Sequence, residues 1–222
     1  MRILPPVFSG VGALRFSHIA VLLLGVALAG CQTTGGANLA SSPFTGASAD
    51  AMPEGRNINR LPVGFAAFCL RSPEQCEMPE GASAIAFDSS VSELEAVNRS
   101  VNAAIKPESD EKHFGQSEYW TIATDGYGDC EDYALTKRAK LLQAGVPARA
   151  LRLAVATTMR GEQHSVLTVA TDRGDFVLDN LTNDILAWDK TGYAWVSRQD
   201  GKSGMGWVVF NDTPKTFDTA SN

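Results

Sequence analysis

The chain has 222 residues, 44% of them hydrophobic and 20% charged, with 19 Lys and Arg against 25 Asp and Glu. That composition is enough for one domain of ordinary size plus tails, and it excludes a chain disordered throughout. The acidic balance, −6 overall, argues against nucleic acid or an anionic lipid surface as the partner.

Residues 1–30 read as an export segment. Arg2 and Arg15 precede an apolar run from Ile19 to Ala29, which is shorter than the roughly 20 apolar residues that span a bilayer. The run ends in Leu28-Ala29-Gly30-Cys31, which resembles the lipobox of bacterial lipoproteins, where the signal is removed before a cysteine that becomes lipidated. Cys31 is therefore the expected mature N-terminus, with an ordinary secretory cleavage near Ala29 as the alternative. Loss of residues 1–30 removes two arginines and no acid, leaving a net charge of −8, so membrane attachment would rest on acyl chains. Residues 31–59, mostly Gly, Ala, Ser, Thr and Pro, have the composition of a flexible tether. The domain is expected over 60–211, and 212–222 reads as a frayed tail.

Within the domain, Cys69 and Cys76 flank a proline turn in a chain that reads as exported, so a disulfide is expected. A zinc site is the rival use of these thiols, but there is no CxxC pair, and His113 and His164 are the domain's histidines. Leu94, Val97, Val101 and Ile105 recur at helical spacing and predict an amphipathic helix over 92–105, stopped by Pro107. Phe114 to Asp125 reads as a loop in which Trp120 is a packing plug. A second helix should begin at Cys130, with Asp129 as N-cap and Gly145 at the C-terminal left-handed position. Ala134, Leu135, Leu141 and Leu142 form its apolar arc, and Cys130 lies at the edge of that arc. One cysteine assigned to lipid and two to a bridge leave Cys130 as the free thiol. A helix N-terminus stabilises the thiolate, so Cys130 is the candidate nucleophile.

After Pro147 the pattern alternates, predicting strands at 151–155, 166–170, 176–178, 193–196 and 207–210. His164 opens one strand and Asp179 closes the next. An even-numbered loop between them places both side chains on one sheet face, whereas a three-residue loop would separate them. On one face, the imidazole can take the Cys130 proton while Asp179 orients the ring. The order of elements is that of an α+β, papain/transglutaminase-like fold, with a nucleophile helix packed on an antiparallel sheet.

Three blocks, Gly128-Asp-Cys-Glu-Asp-Tyr-Ala-Leu-Thr-Lys137, His164-Ser-Val-Leu-Thr-Val169 and Gly174-Asp-Phe-Val-Leu-Asp-Asn180, resemble the signatures of bacterial transglutaminase-like cysteine peptidases. The resemblance covers about residues 60–207, including the segment with Cys69 and Cys76. It implies a Cys130, His164 and Asp179 triad in a periplasmic enzyme acting on an exported or surface protein. One branch of the family comprises calcium-dependent proteases that clip surface adhesins and so control biofilm attachment. Further expectations are anchoring through the N-terminal lipid, in the outer membrane rather than the inner, and a regulatory membrane protein as partner.

Asp129, Glu131 and Asp132 surround the nucleophile, and their charge should raise the thiol pKa unless something offsets it. Asp129 and Asp132 suit a capping-box-like pair. Glu131 sits on the apolar arc, where either Arg138 or a calcium ion could neutralise it. The resemblance favours calcium, at Asp129 and Glu131 with Asp132 as a third ligand. Two other functions use the same residues: a transglutaminase or amidase with the same triad, and a non-catalytic calcium-dependent binding module.

Overall fold

A computed structural model describes residues 50–58 and 61–210. The export segment, Cys31, most of the tether and the tail lie outside the described residues. Nine strands and four α-helices follow in chain order. Strand β1 (Arg56–Ile58) and helix α1 (Val63–Arg71) come first, then a 3-10 turn over Pro73–Cys76 and helix α2 (Phe87–Ala104). Strand β2 (Lys106–Pro107), helix α3 (Asp110–Phe114), strand β3 (Tyr127–Gly128) and helix α4 (Cys130–Gln143) precede the main strands. Those are β4 (Leu151–Thr157), β5 (Gln163–Thr171), β6 (Gly174–Leu178), β7 (Leu186–Ala187), β8 (Ala194–Gln199) and β9 (Trp207–Val209).

Seven strands form one sheet in the order β1-β9-β8-β4-β5-β6-β7, with every neighbouring pair antiparallel. Alternation gives this sheet two faces. Leu151, Leu153, Leu167, Val169, Phe176 and Leu178 pack with Phe65 and Phe68 of α1, Leu94 of α2, and Leu135 and Leu141 of α4. Each fully buried Leu or Phe contributes about 1.5–3 kcal/mol. Ala154, Val166 and Val177 form a smaller cluster against Trp188, Tyr193 and Trp195. The architecture is the α+β, transglutaminase-like one, and its interior strand β5 is buried at every position but its first.

Helix α2 begins at Phe87, five residues ahead of the expected start, and two further features differ from the sequence reading. Residues 50–58, read as the end of the tether, supply an edge strand: Arg56 pairs with Val209 and Asn57 with Val208. Met52 is buried, and its backbone N–H donates to Asp175 at 2.7 Å. Three residues are too few for a period to register, and the contacts that hold this strand are all distant in sequence. Helix α4 is also buried well beyond its apolar arc, because it packs against both β5 and α2. Lys137 and Arg138 are among its buried residues.

Cys69 and Cys76 form a disulfide with Cα atoms 5.6 Å apart. Closing so short a loop stabilises by about 2.5 kcal/mol on the chain-entropy estimate. The loop also has a buried partner, since Arg138 donates from Nη1 to the Gln75 carbonyl.

Candidate active site

Helix α4 starts where the sequence places it and ends on Gly145, whose φ of 90° suits a residue without Cβ. Gly145 N–H donates to Leu142 O and Val146 N–H to Leu141 O, both at 3.0 Å, which is the Schellman arrangement. At the other end, Asp132 accepts the Asp129 backbone N–H at 3.4 Å and the Thr121 N–H at 2.8 Å. A Cβ on Gly128 would lie 2.6 Å from Asp132 Oδ2, so the glycine is what lets this carboxylate fold back.

Cys130 is the free cysteine among the described residues. Its Sγ accepts the Ser165 backbone N–H at 3.4 Å, so the thiol meets β5 beside His164. Its own hydrogen points to Glu131 Oε2 at 3.1 Å. The resting thiol is thus bonded to Glu131 and Ser165, and His164 is not among its hydrogen-bond partners. Burial pushes the thiol pKa up, the Glu131 and Asp129 charges push it further, and the Ser165 N–H opposes them.

The hairpin from β5 to β6 turns through Asp172 and Arg173, with Thr171 paired to Gly174 and Leu167 to Leu178. This even loop sets His164 and Asp179 on one face. His164 Nε2 and Asp179 Oδ1 are 2.8 Å apart, and both side chains are buried. Nδ1 is then the ring nitrogen left for the thiol. Asp179 Oδ1 also accepts the Leu181 N–H at 3.0 Å, and Oδ2 accepts the Tyr193 hydroxyl. Burial alone would raise the Asp179 pKa, but His164, Leu181 and Tyr193 together hold it below the usual carboxylate range.

The alternating pattern predicts for Tyr193 only the start of a strand. Its ring stands edge-on to His164, with centroids 5.6 Å apart, and burial followed by the Asp179 charge raises its pKa. Asn102 of α2 donates to the Asp179 carbonyl at 2.9 Å. Neither residue lies in a motif, and nothing short of their contact with Asp179 reveals them.

The acidic cluster has a different third member from the one expected. Asp110, Asp129 and Glu131 each offer an oxygen within 4.8 Å of the others, while both Asp132 oxygens accept backbone N–H groups. The short parallel ladder explains the exchange. Lys106 N–H donates to Gly126 O and Glu108 N–H to Gly128 O, and the next rung is Asp110 N–H to Asp129 Oδ2 at 3.3 Å. Asp110 Oδ1 and Asp129 Oδ1 are buried without a hydrogen-bond partner. Glu131 is pushed up to about 8 by burial and then by the Asp129 charge. Asp132 is also pushed up to about 8 by burial, with Thr121 N–H opposing. Arg138 does not neutralise Glu131, since the hydrogen bond it makes goes to Gln75. Three converging carboxylates with orphaned oxygens fit a hard divalent cation.

Among solved structures, Legionella pneumophila LapG after EGTA treatment is 31% identical over 47% of this chain and 60% of that chain, with a TM-score of 0.42. Calcium-bound LapG is 26% identical over 56% and 71%, with a TM-score of 0.46. A third LapG structure is 29% identical over 54% and 64%, with a TM-score of 0.42. In the first of these matches the chain spans about three fifths of the LapG length. No curated protein sequence matches the chain. The family profile described as bacterial transglutaminase-like cysteine proteinase (BTLCP) matches residues 56–215, a stretch that runs from β1 through β9. The chain belongs to the bacterial transglutaminase-like cysteine proteinases.

Proposed function

We propose that this protein is an exported, lipid-anchored cysteine peptidase that cleaves a cell-envelope or surface protein, with Cys130 as nucleophile, His164 as base and Asp179 as its orienter. The observation that carries the reading is the buried pair of His164 on β5 and Asp179 just past β6, 2.8 Å apart, with the Ser165 N–H next to His164 meeting a free thiol at a helix start. In this mechanism the thiol moves from Glu131 to His164 Nδ1, which takes its proton. The thiolate attacks the scissile carbonyl carbon, and the developing oxyanion is met by the Cys130 backbone N–H. His164 then protonates the leaving amine as the amide C–N bond breaks and a thioester remains. Water, deprotonated by the same imidazole, attacks the thioester and releases the acid and the thiol. Asp179 holds the tautomer throughout.

Asp110, Asp129 and Glu131 are the residues that would hold calcium, and the orphaned Asp110 and Asp129 oxygens support that assignment. A bound ion would supply positive charge beside the thiol, offsetting the carboxylates that raise its pKa.

The reaction is tested by incubating wild type and Cys130→Ala with the exported proteome and enriching new N-termini. Termini that require Cys130 are expected. Isopeptide cross-links without new termini would make the enzyme a transglutaminase, and identical profiles would leave a binding module. The anchor rests on Leu28-Ala29-Gly30-Cys31. A fatty-acid analogue fed to cells should label wild type and not Cys31→Ser, and equal labelling of both would remove the anchor from this reading.

A further inference from the structure

Away from the candidate active site, a cavity of about 300 Å³ is lined by Arg149, Arg152, Arg198 and Lys202, with Glu54 and Asp200 as its acids. It lies at the far end of the sheet. His164 pairs with Ala156 near the end of β4, whereas Arg152 pairs with Thr168 near its start.

Among the described residues, three of the four basic side chains have an acidic partner, and Arg152 does not. Lys202 pairs with Glu54 at 3.4 Å, Arg149 with Glu80 at 2.9 Å, and Arg198 with the buried Asp175 at 3.2 Å. Asp200 Oδ1 accepts the N–H groups of Lys202 at 2.8 Å and Ser203 at 3.0 Å, so that oxygen is committed to its own turn. Arg152 has no carboxylate partner among the described residues. Its Nε and Nη2 donate to the carbonyls of Arg149 at 3.1 Å and Ser83 at 3.3 Å. Arg198 is 3% exposed, its Nε is buried without a partner, and Asp175 takes its Nη1 alone. Burial lowers the Arg198 pKa, the Asp175 and Glu54 charges oppose that, and the neighbouring Arg152 charge adds to it, which places the two guanidinium groups within electrostatic reach of one another.

A guanidinium is a planar fork of donors that matches carboxylate and phosphate oxygens, and it stays charged where a lysine would give up its proton. Two such forks with unused donors on one polar cavity call for an acceptor carrying negative charge. We propose that this cavity binds a small oxyanion of the phosphate or carboxylate class, held between Arg152 and Arg198 with Lys202 at the rim. The ligand would tie together the segment before β1, strands β4 and β8 and the 200–202 turn.

The test is calorimetric titration of the full mature chain with inorganic phosphate and, separately, citrate, at ionic strength held constant with sodium chloride. Saturable one-site binding is expected for at least one of the two anions, weakened at least tenfold in Arg152→Gln and severalfold in Lys202→Ala. Non-saturable heats in wild type with both anions, or an unchanged affinity in Arg152→Gln, would overturn the site. Should Arg152→Gln not fold, the wild type decides through its arginine Nε–H resonances. Shifts on adding the anion at Arg152 and Arg198 support the proposal, and shifts confined to other arginines overturn it.

Discussion

Tyr193 illustrates what a single hydroxyl does beside a buried imidazole–carboxylate pair. Asp179 is 4% exposed, and its two oxygens divide their work: Oδ1 meets His164 and Oδ2 meets Tyr193. Replacing the tyrosine by phenylalanine keeps the ring edge on the imidazole and removes one donor from a carboxylate that must stay charged. A hydrogen bond of this kind is worth about 1 kcal/mol, or roughly fivefold in rate. Tyr193→Phe should therefore lower kcat severalfold with KM nearly unchanged. Because the lost bond helps hold the Asp179 pKa down, any acid limb of the pH–rate profile that reports this carboxylate should move to higher pH. A variant with wild-type kcat and an unmoved acid limb would show the hydroxyl to be structural only. The juxtaposition of His164 with Asp179 was legible in the sequence, because an even loop between two strands puts both on one face. Tyr193 was not, because its role exists only once the turn after β6 has brought it back onto Asp179.

At the scale of elements, the acidic start of α4 separates two jobs that the sequence could not divide. Asp132 lies three residues after the N-cap and Asp129 is the N-cap itself, so spacing alone fits both capping and metal binding. The parallel pairing of β2 with β3 brings Asp110, nineteen residues upstream, beside Asp129, so under the proposed calcium reading Asp110 takes the metal role and Asp132 the capping one. No periodic pattern announces two-residue strands, and this is why Asp110 was missed. Two variants distinguish the jobs. Asp110→Asn keeps an oxygen for the Tyr119 N–H but loses a charge, so it should weaken calcium binding at least tenfold by calorimetry while leaving the calcium-free melt near wild type. Asp132→Ala strips the acceptors of two N–H groups and should cost about 1 kcal/mol of stability without calcium. Tight calcium binding by Asp110→Asn, together with its loss in an Asp132→Ala protein that still folds, would restore Asp132 as the third ligand.

Over the whole molecule, α4 brings buried charge of both signs into the interior, and the pH dependence of stability should record it. Lys137 lies just outside the apolar arc, two turns along the same side of the helix as Cys130, and helical periodicity does not predict its burial. Packing of α2 on the other side of α4 leaves it 0% exposed, with its Nζ unpartnered and 5.9 Å from the Tyr133 ring. Burial lowers its pKa to about 7, opposed by the Asp179 charge. An unfolded lysine titrates near ~10.4, so between about 7 and ~10.4 the unfolded chain holds more protons and stability rises with pH. Below that window both states are charged and the burial penalty is complete. Glu131 and Asp132, pushed up to about 8, act in the opposite sense. Their folded forms hold the extra protons, so stability falls as pH rises from roughly 4 toward 8, and their effect is then spent. The buried Cys130 thiol, whose pKa is also raised, would oppose the lysine above the free thiol value of about 8.5, so the measurement uses a Cys130→Ala background: without calcium, urea midpoints there should pass through a minimum near pH 8 and recover toward pH 9. Lys137→Met removes the buried ammonium while filling similar space. It should raise stability at pH 8 by roughly 1–3 kcal/mol, given about 1.4 kcal/mol for each pKa unit that burial costs, and it should flatten the recovery above pH 8. If the recovery keeps its slope in Lys137→Met, the lysine is not the group responsible and its burial is relieved by other means.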